Sequence, residues 1–488
     1  MQGDGDARRL AWALTLGFAL IYLAFLPPGI YSVDGNSMLA VAESLVTHNS
    51  IAVPSSALGT LGPDGHVYSN WYPLLSFLAA PLVAIAVPIS RSFHVPLHYV
   101  AGVLASVLPA LLTAATVGLV ARIAVQLGST LQGARRAALA FALGTIAMVY
   151  ARTFYAEPLL ALLITGAVYF ASRDTKLLST FAGGTFSALS LLAKPTGIVL
   201  GPLLAAYLFV KRRSLKEFII PAAGSVVGFA LYGAYNFTRF GNPLNFGQPF
   251  MFSFANIPAG FAGLLFSPGR GIIWYCPAVI MGVLGFQKVA KRKRPEALLI
   301  AGLFGSFLLL HSLWTFWHGG WSWGPRFLVP VLPGILALTG LLENKGAKWL
   351  LVLAFVGFLV NAPTLISYYE RYYAEATERG IPENAILWSP AQAPFLHAWG
   401  AAFRVIADAR KNDVREMFRE TGTPSTTIAS SRALRVIAVW WWVLPVVHIP
   451  RIVGATISII MVLLGGWIIS RVRLPDHPAS FTETQSHL

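Results

Sequence analysis

Residues 5–28 read GDARRLAWALTLGFALIYLAFLPP. Arg8 and Arg9 precede an apolar run at 10–28 that is longer than a secretory h-region and is followed by no small-residue cleavage site. The run reads as an uncleaved anchor, with its basic flank holding the N-terminus in the cytoplasm. Working outward, further apolar runs lie at 97–121, 137–154, 157–171, 177–193, 196–210, 217–236, 271–287, 295–316, 327–342, 347–366 and 452–470. The fold class expected is therefore all-α: a polytopic membrane protein of about 12 transmembrane helices, with interfacial helices in the first outer loop. The composition of the 488 residues agrees. Hydrophobic residues make up 56% and charged residues 11%, against roughly a quarter charged in soluble domains, and the mean hydropathy is +0.64. These values exclude a disordered chain, a collagen and an ordinary cytosolic enzyme.

The net charge of +16 is a matter of placement. Two proline-punctuated apolar segments, 73–90 and 435–449, are read as lying on the outer surface. With that choice, twenty of the 36 basic residues fall in cytoplasmic loops, among them Arg122, Arg135, Arg136, Lys211, Arg212 and the KVAKRKR run at 288–294. Only Arg91, Arg152, Lys194, Arg239, Arg270 and Arg326 fall in short outer loops or at outer span edges. That asymmetry is the positive-inside pattern. It places both termini in the cytoplasm of a plasma (inner) membrane protein, and it removes nucleic acid as the reason for the charge. The single cysteine, Cys276, excludes a disulfide framework and a cysteine zinc site. It sits in the apolar run IIWYCPAVIM and reads as a buried, inert thiol.

The outer face then consists of loops 29–96, 237–270 and 317–326 and a late segment, 367–451. In YSVDGNSMLAVAESLVTHNSIAVP (31–54), Met38, Val41, Ala42 and Leu45 share one helical face, so a surface helix is expected from Gly35 to Thr47. Asp34 is placed to cap it, or to accept a proton from a hydroxyl at the interface. Glu43 reads as a solvated residue. Pro63-Asp64-Gly65 is a turn signal, and Tyr68, Asn70, Trp71 and Tyr72 lead into the segment at 73–90. In LLFSPGRGIIWY (264–275), Arg270 lies at the outer start of a span, either holding an anion beside its glycines or anchoring an interfacial turn. WHGGWSWGPRF (317–327) gathers His318, Trp321, Trp323 and Arg326, which suits an aromatic belt or a site for a sugar or lipid headgroup. His311 reads as a hydrogen-bonded core residue.

Asp34, the surface helix, an aromatic-polar-aromatic-Pro stretch (YSNWYP, 68–73), a basic cytoplasmic loop, the acid in YARTFYAEP (150–158) and the lysine in LLAKPTG (191–197) together resemble the membrane glycosyltransferases of the GT-C class. The resemblance covers residues 10–340 and is nearest to the branch of protein O-mannosyltransferases and aminoarabinose transferases. It implies a catalytic module at 1–342, followed by a C-terminal membrane region at 343–488. It implies a polyprenyl-phosphate sugar as donor, an acceptor lipid, glycan or protein hydroxyl, and membrane lipids around the protein. Its activity would be inverting sugar transfer at the outer interface, facing the periplasm or exterior. Carried over by position, Asp34 is the general base, Glu157 the second catalytic acid residue and Lys194 a cation for the donor phosphate; Arg270 and Arg326, read from their own outer loops, are expected to join it there. Tyr68, Asn70, Tyr72, Arg152, His318, Trp321 and Trp323 are candidate substrate contacts. Two departures stand out: Gly35 replaces a second carboxylate beside Asp34, and no lysine precedes Pro73. The family's occasional metal site needs a Glu where this chain has Ser69-Asn70, so no obligatory cofactor is expected and a divalent metal has no support in the sequence. The reading from a different class is a transporter or flippase of a lipid-linked sugar. The one-sided charges and the absence of an internal repeat weigh against it.

Overall fold

In a computed structural model the chain is described at residues 2–55, 58–173, 176–248, 251–409 and 436–472. Its elements can be followed by which end of the bundle each reaches. α1 (Gln2–Ala24) runs antiparallel to α4 (Leu97–Ala105) and α5 (Val107–Gln126). Arg122 Nη2 meets Asp4 Oδ1 at 2.7 Å at one end, and Gly102 lies against Ile30 at the other. The first is called the basic end below and the second the site end. Between them lie α2 (Val33–His48), a three-stranded antiparallel sheet of order β1-β3-β2 (Ala52–Val53, Gly59–Leu61, Val67–Ser69) and α3 (Pro73–Phe93). Because Ile30 and Gly102 are neighbours, this whole loop leaves and rejoins the bundle at the site end. α3 is long and apolar enough to cross a membrane, yet a single crossing here is excluded by that parity. The register of α1 against α5 keeps both ends of the 31–101 loop at the site end.

From α5 the chain climbs α6 (Leu131–Gly144), makes the single turn of α7 (Ala147–Tyr150) and descends α8 (Ala156–Ala171). It climbs α9 (Lys176–Ala193), descends α10 (Leu200–Arg212) and climbs α11 (Leu215–Phe240). At the site end lies α12 (Ile257–Phe266); α13 (Ile272–Tyr275) and α14 (Met281–Ala290) then descend together, and α15 (Arg294–Ser312) climbs. A 3₁₀ turn at Arg326–Val331 and α16 (Leu332–Leu338) descend, and α17 (Asn344–Asn361) climbs. α18 (Glu370–Glu378), α19 (Glu383–Trp388) and α20 (Pro394–Asp408) cap the site end, and α21 (Arg451–Ser470) descends beside α1. Counting α4–α5 and α13–α14 once each, and leaving out α2, α3, α7, α12 and α18–α20, the described residues make twelve traversals. Lys211 with Glu296 (2.9 Å), Arg212 with Glu217 (2.8 Å) and Lys288 with the Leu341 carbonyl (3.2 Å) fix later turns at the basic end.

Several runs that read as continuous are broken. The run at 137–154 stops at Thr145, and 271–287 is interrupted at Cys276-Pro277, where proline cannot donate to the helix. Conversely, α3 is one helix despite Pro81 and Pro88. The segment at 435–449 is a short 3₁₀ helix, Trp440–Val447, hung from the Leu26 carbonyl through the Trp440 amide (2.7 Å). Lipid gives helices no hydrophobic reason to associate, so small residues let backbones close in. Gly17 faces the Gly465 carbonyl, and Gly357 faces Gly144, each too close for a side chain to intervene. One core cluster runs from Ala7 through Leu350 and Tyr372 to Ile469. Large apolar residues such as Trp12, Val226, Phe355 and Leu463 face outward, as lipid contact requires. The chain is an integral membrane protein. The late outer segment is described only to 409 and from 436; residues 410–435, like Arg473, lie outside the described residues.

The topology is testable with single cysteines at exposed positions. Gln132→Cys and Lys291→Cys, at the basic end, should be shielded from an impermeant thiol reagent in intact cells, and Glu378→Cys, at the site end, should react. Labelling at both 132 and 291 would reverse the orientation.

Candidate active site

Ser32, in extended conformation, caps α2 by accepting the Gly35 amide at 3.2 Å. This corrects the expectation that Asp34 is the cap. The helix starts at Val33, one residue before Asp34, because the serine hydroxyl reaches the free amide. Asp34 is thereby left in the first turn with its carboxylate available, and Oδ2 accepts from Arg326 Nη1 at 2.9 Å. Glu157 opens α8 directly below, and Lys194 closes α9. Lys194 Nζ donates to Glu157 Oε1 at 2.7 Å, and Arg326 Nε lies 3.5 Å from the same oxygen. Glu157, Lys194 and Arg326 are buried, while Asp34 keeps a quarter of its side-chain surface exposed. The Arg326 guanidinium also lies over the rings of Tyr155 (4.6 Å) and Phe327 (4.9 Å), and Lys194 lies over Phe327 (4.5 Å). These four charged groups face a cavity of about 220 Å³ at the site end, which Tyr72 also lines.

The remaining expected residues are placed elsewhere. Arg270 is buried, and each of its guanidinium nitrogens donates: Nε to the His318 carbonyl (2.7 Å), Nη1 to the Gly269 carbonyl (2.8 Å) and to Tyr373 Oη (2.5 Å), Nη2 to the Gly320 carbonyl (2.6 Å). It does not line the cavity. It shapes the 317–326 loop, whose Gly319 and Gly320 do. Arg152 donates to the carbonyls of Thr364 (2.7 Å) and Ala438, so it joins the α7–α8 link to the late segment and makes no contact with Glu157. Trp323 is in the core, donating to Asn361 Oδ1 at 2.7 Å, and Trp321 stacks on Tyr373. His318 is buried, and its Nδ1 accepts from the Gly320 amide at 3.3 Å. Burial, helped by the charges of Arg270 and Arg326, lowers its pKa to about 4, so the ring is neutral at neutral pH and its 3.2 Å approach to Glu383 is no ion pair. Tyr68 donates to Asp64 Oδ2 at 2.6 Å, completing the expected turn. Asn70 is near Gly247, outside the cavity lining. Glu43 is half-buried and meets His98 Nδ1 at 3.1 Å, where a solvated residue was expected. His311 is buried and bonded to the Phe307 carbonyl at 2.8 Å, as a core histidine should be. Among the described residues no cluster of histidine, cysteine, aspartate or glutamate could hold a metal ion.

Sequence reasoning missed Trp71, Tyr155, Gln248, Trp314 and Phe316, which also line the cavity. Tyr155 and Phe316 sit within two residues of candidates already singled out, and that adjacency was the available signal. Gln248 carried none.

No protein-family model matches the chain, and no curated protein matches it. Among solved structures it is similar to the crystal structure of ArnT from Cupriavidus metallidurans bound to undecaprenyl phosphate. The identity is 15% and the TM-score 0.47, over 95% of this chain and 77% of that one. The apo state of ArnT from Cupriavidus metallidurans is similar at 16% identity, with the same TM-score and coverage.

Removing one member of a buried charge network strands its partners, at a typical cost of about 3–5 kcal/mol. Glu157→Gln, which removes the negative charge that Lys194 and Arg326 share, should lower the melting temperature of the detergent-purified protein by several degrees. Arg9→Gln, at the exposed pair with Asp6, should lower it far less. Equal melting temperatures for Glu157→Gln and wild type would show that the network does not hold the site.

Proposed function

We propose that this protein transfers a sugar from a polyprenyl-phosphate donor to an acceptor hydroxyl at the membrane–water interface, with inversion, and with Asp34 as general base. The observation that carries the reading is the convergence of Asp34, Glu157, Lys194 and Arg326 on one cavity, at the end of the bundle opposite its basic turns. The donor has three parts with different needs. Its tail wants lipid, its phosphate wants cations, and its sugar wants a lined pocket. A cavity at the rim of a twelve-traversal bundle serves all three. Lys194 and Arg326 supply the cations, and aromatic walls (Trp71, Tyr72 and Trp314) suit the C–H faces of a sugar.

The chemistry needs few groups. The acceptor oxygen attacks the anomeric carbon, the bond to the phosphate oxygen breaks, and a phosphate monoester leaves. Phosphate is a good leaving group, so no general acid is required. The acceptor proton passes to the Asp34 carboxylate, which the Arg326 bond orients. Lys194 and Arg326 stabilise the charge that develops on the leaving oxygen. Glu157, bound to both cations, fixes where they sit and is a positioning residue. A polyprenyl-linked substrate also suits a transporter. Against that reading, the ion pairs found among the described residues gather at the two ends of the bundle and not along a path through it.

Two measurements test the proposal. Purified Asp34→Asn should bind the donor as wild type does, with transfer from a synthetic polyprenyl-phosphate sugar falling by about 10²–10⁴-fold, the usual contribution of a positioned base. Wild-type activity in that variant would remove Asp34 from the mechanism. Charge-assisted contacts to a buried anion are worth about 1.5–3 kcal/mol each. Lys194→Ala and Arg326→Ala should therefore each weaken donor binding about 10-fold or more, while Arg270→Ala should chiefly lower the melting temperature. Unchanged donor affinity in both of the first two variants would reject the clamp.

A further inference from the structure

α20 caps the site end and divides its surface into three stripes. At about 100° per residue, Ala398, Ala401, Ala402 and Val405 fall together and are buried against the protein. His397, Arg404 and Asp408 form a second stripe. Arg404 donates to Glu375 at 2.9 Å, and Asp408 accepts from Arg371 at 3.0 Å, so this stripe faces the charged surface of α18. Leu396, Trp399, Phe403 and Ile406 form the third, within an arc of roughly 80°. Leu396 is 60% and Phe403 63% exposed. A cap helix standing in water has no reason to present four large apolar side chains on one face.

The surroundings say what covers that face. Trp399 Nε1 donates to the Leu359 carbonyl at 3.0 Å, in the last turn of α17. The outward face of α17 below it, Val352, Phe355 and Leu359, is exposed and apolar, as the lipid side of a span is. About one turn earlier in α20, Phe395 stacks on Trp274 at 6.1 Å, and Trp274 Nε1 donates to the Phe266 carbonyl at 2.8 Å. Both indole N–H groups are thus bonded at helix ends, while their rings stay partly exposed. Tryptophan in that posture marks a headgroup boundary. The third stripe of α20 continues the lipid-facing surface of α17 beside these tryptophans.

We propose that α20 is an in-plane interfacial helix, its Leu396–Trp399–Phe403–Ile406 face seated in the headgroup–acyl boundary of the leaflet at the site end. The partner is the lipid surface itself. The helix holds the cap at a fixed height above the cavity, with its Arg404 and Asp408 turned to the charged groups of α18. This inference rests on the reading of the spans and stands whether or not the protein transfers a sugar.

The test uses the full chain in phosphatidylglycerol-containing nanodiscs. Cys276 is fully buried, so nitroxide labels can be placed on single introduced cysteines without removing it. Leu396→Cys and Phe403→Cys should collide more with dissolved oxygen than with a water-soluble nickel complex, and the oxygen-to-nickel ratio at both should be several-fold above that of Arg379→Cys on the charged side. Nickel-dominated collisions at 396 and 403 would put the face in water. Exclusion of both reagents would mean that another protein segment covers it. Either result overturns the proposal, and agreement at two positions guards against one variant distorting the helix.

Discussion

A buried guanidinium must be paired, and Arg326 meets that requirement with groups far apart in sequence. It reaches Asp34, 292 residues away, and approaches Glu157, which Lys194 also holds. The first outer loop, the tops of α8 and α9 and the turn after the tryptophan-rich loop are pinned to one another at that point. The pairing is costly to break, since each charge would be left in a setting that no longer solvates it. The walls of the cavity inherit their positions from it: Tyr155 and Phe327 take the guanidinium against their rings, and α2 is held so that its first turn faces inward.

The buried arginines divide by what they are bonded to. Arg270 spends its donors on three main-chain carbonyls and a tyrosine, Arg152 on two carbonyls, and Arg239 on the carbonyls of Ser69 and Trp71 and on Asn236. Buried main-chain carbonyls need donors, so such arginines are fixed parts of the architecture. Arg326 and Lys194 are bonded to carboxylates instead. Those contacts can be shared or exchanged when an anion arrives, because the carboxylates have other acceptor positions and, at Asp34, access to water. Availability to a ligand is decided by the nature of the bonding partner and not by burial, which is near complete for all of them.

The same economy of charge shapes the ends of the bundle. Every long traversal is apolar through its middle, and the ion pairs sit near the ends, some part-exposed and some, such as Lys194 with Glu157, buried. At the site end, the α18–α20 network around Glu375 places charge above the membrane plane, while apolar residues on the opposite side of α20 lie level with the last turn of α17.

Much of the fold was legible in the sequence, because apolar runs of membrane-spanning length admit few structures and basic loops assign their ends. All twelve traversals coincide with runs at 10–28 through 452–470, and the exclusion of 73–90 followed from loop charge alone. Asp34, Glu157, Lys194 and Arg326 were each visible as charges at the outer ends of spans. What sequence could not decide was which of several outer charges face one another. Arg270 and Arg326 stand in similar glycine-rich, tryptophan-flanked surroundings, and only the path of the backbone sends one guanidinium into carbonyls and the other to two carboxylates. The cap of α2 was read two positions off for a related reason: Ser32 and Asp34 are both good caps, and Ser32 takes the role while Asp34 is held by Arg326, 292 residues away. Local patterns fix what a residue can do, and long-range packing fixes which of its possible partners is within 3 Å.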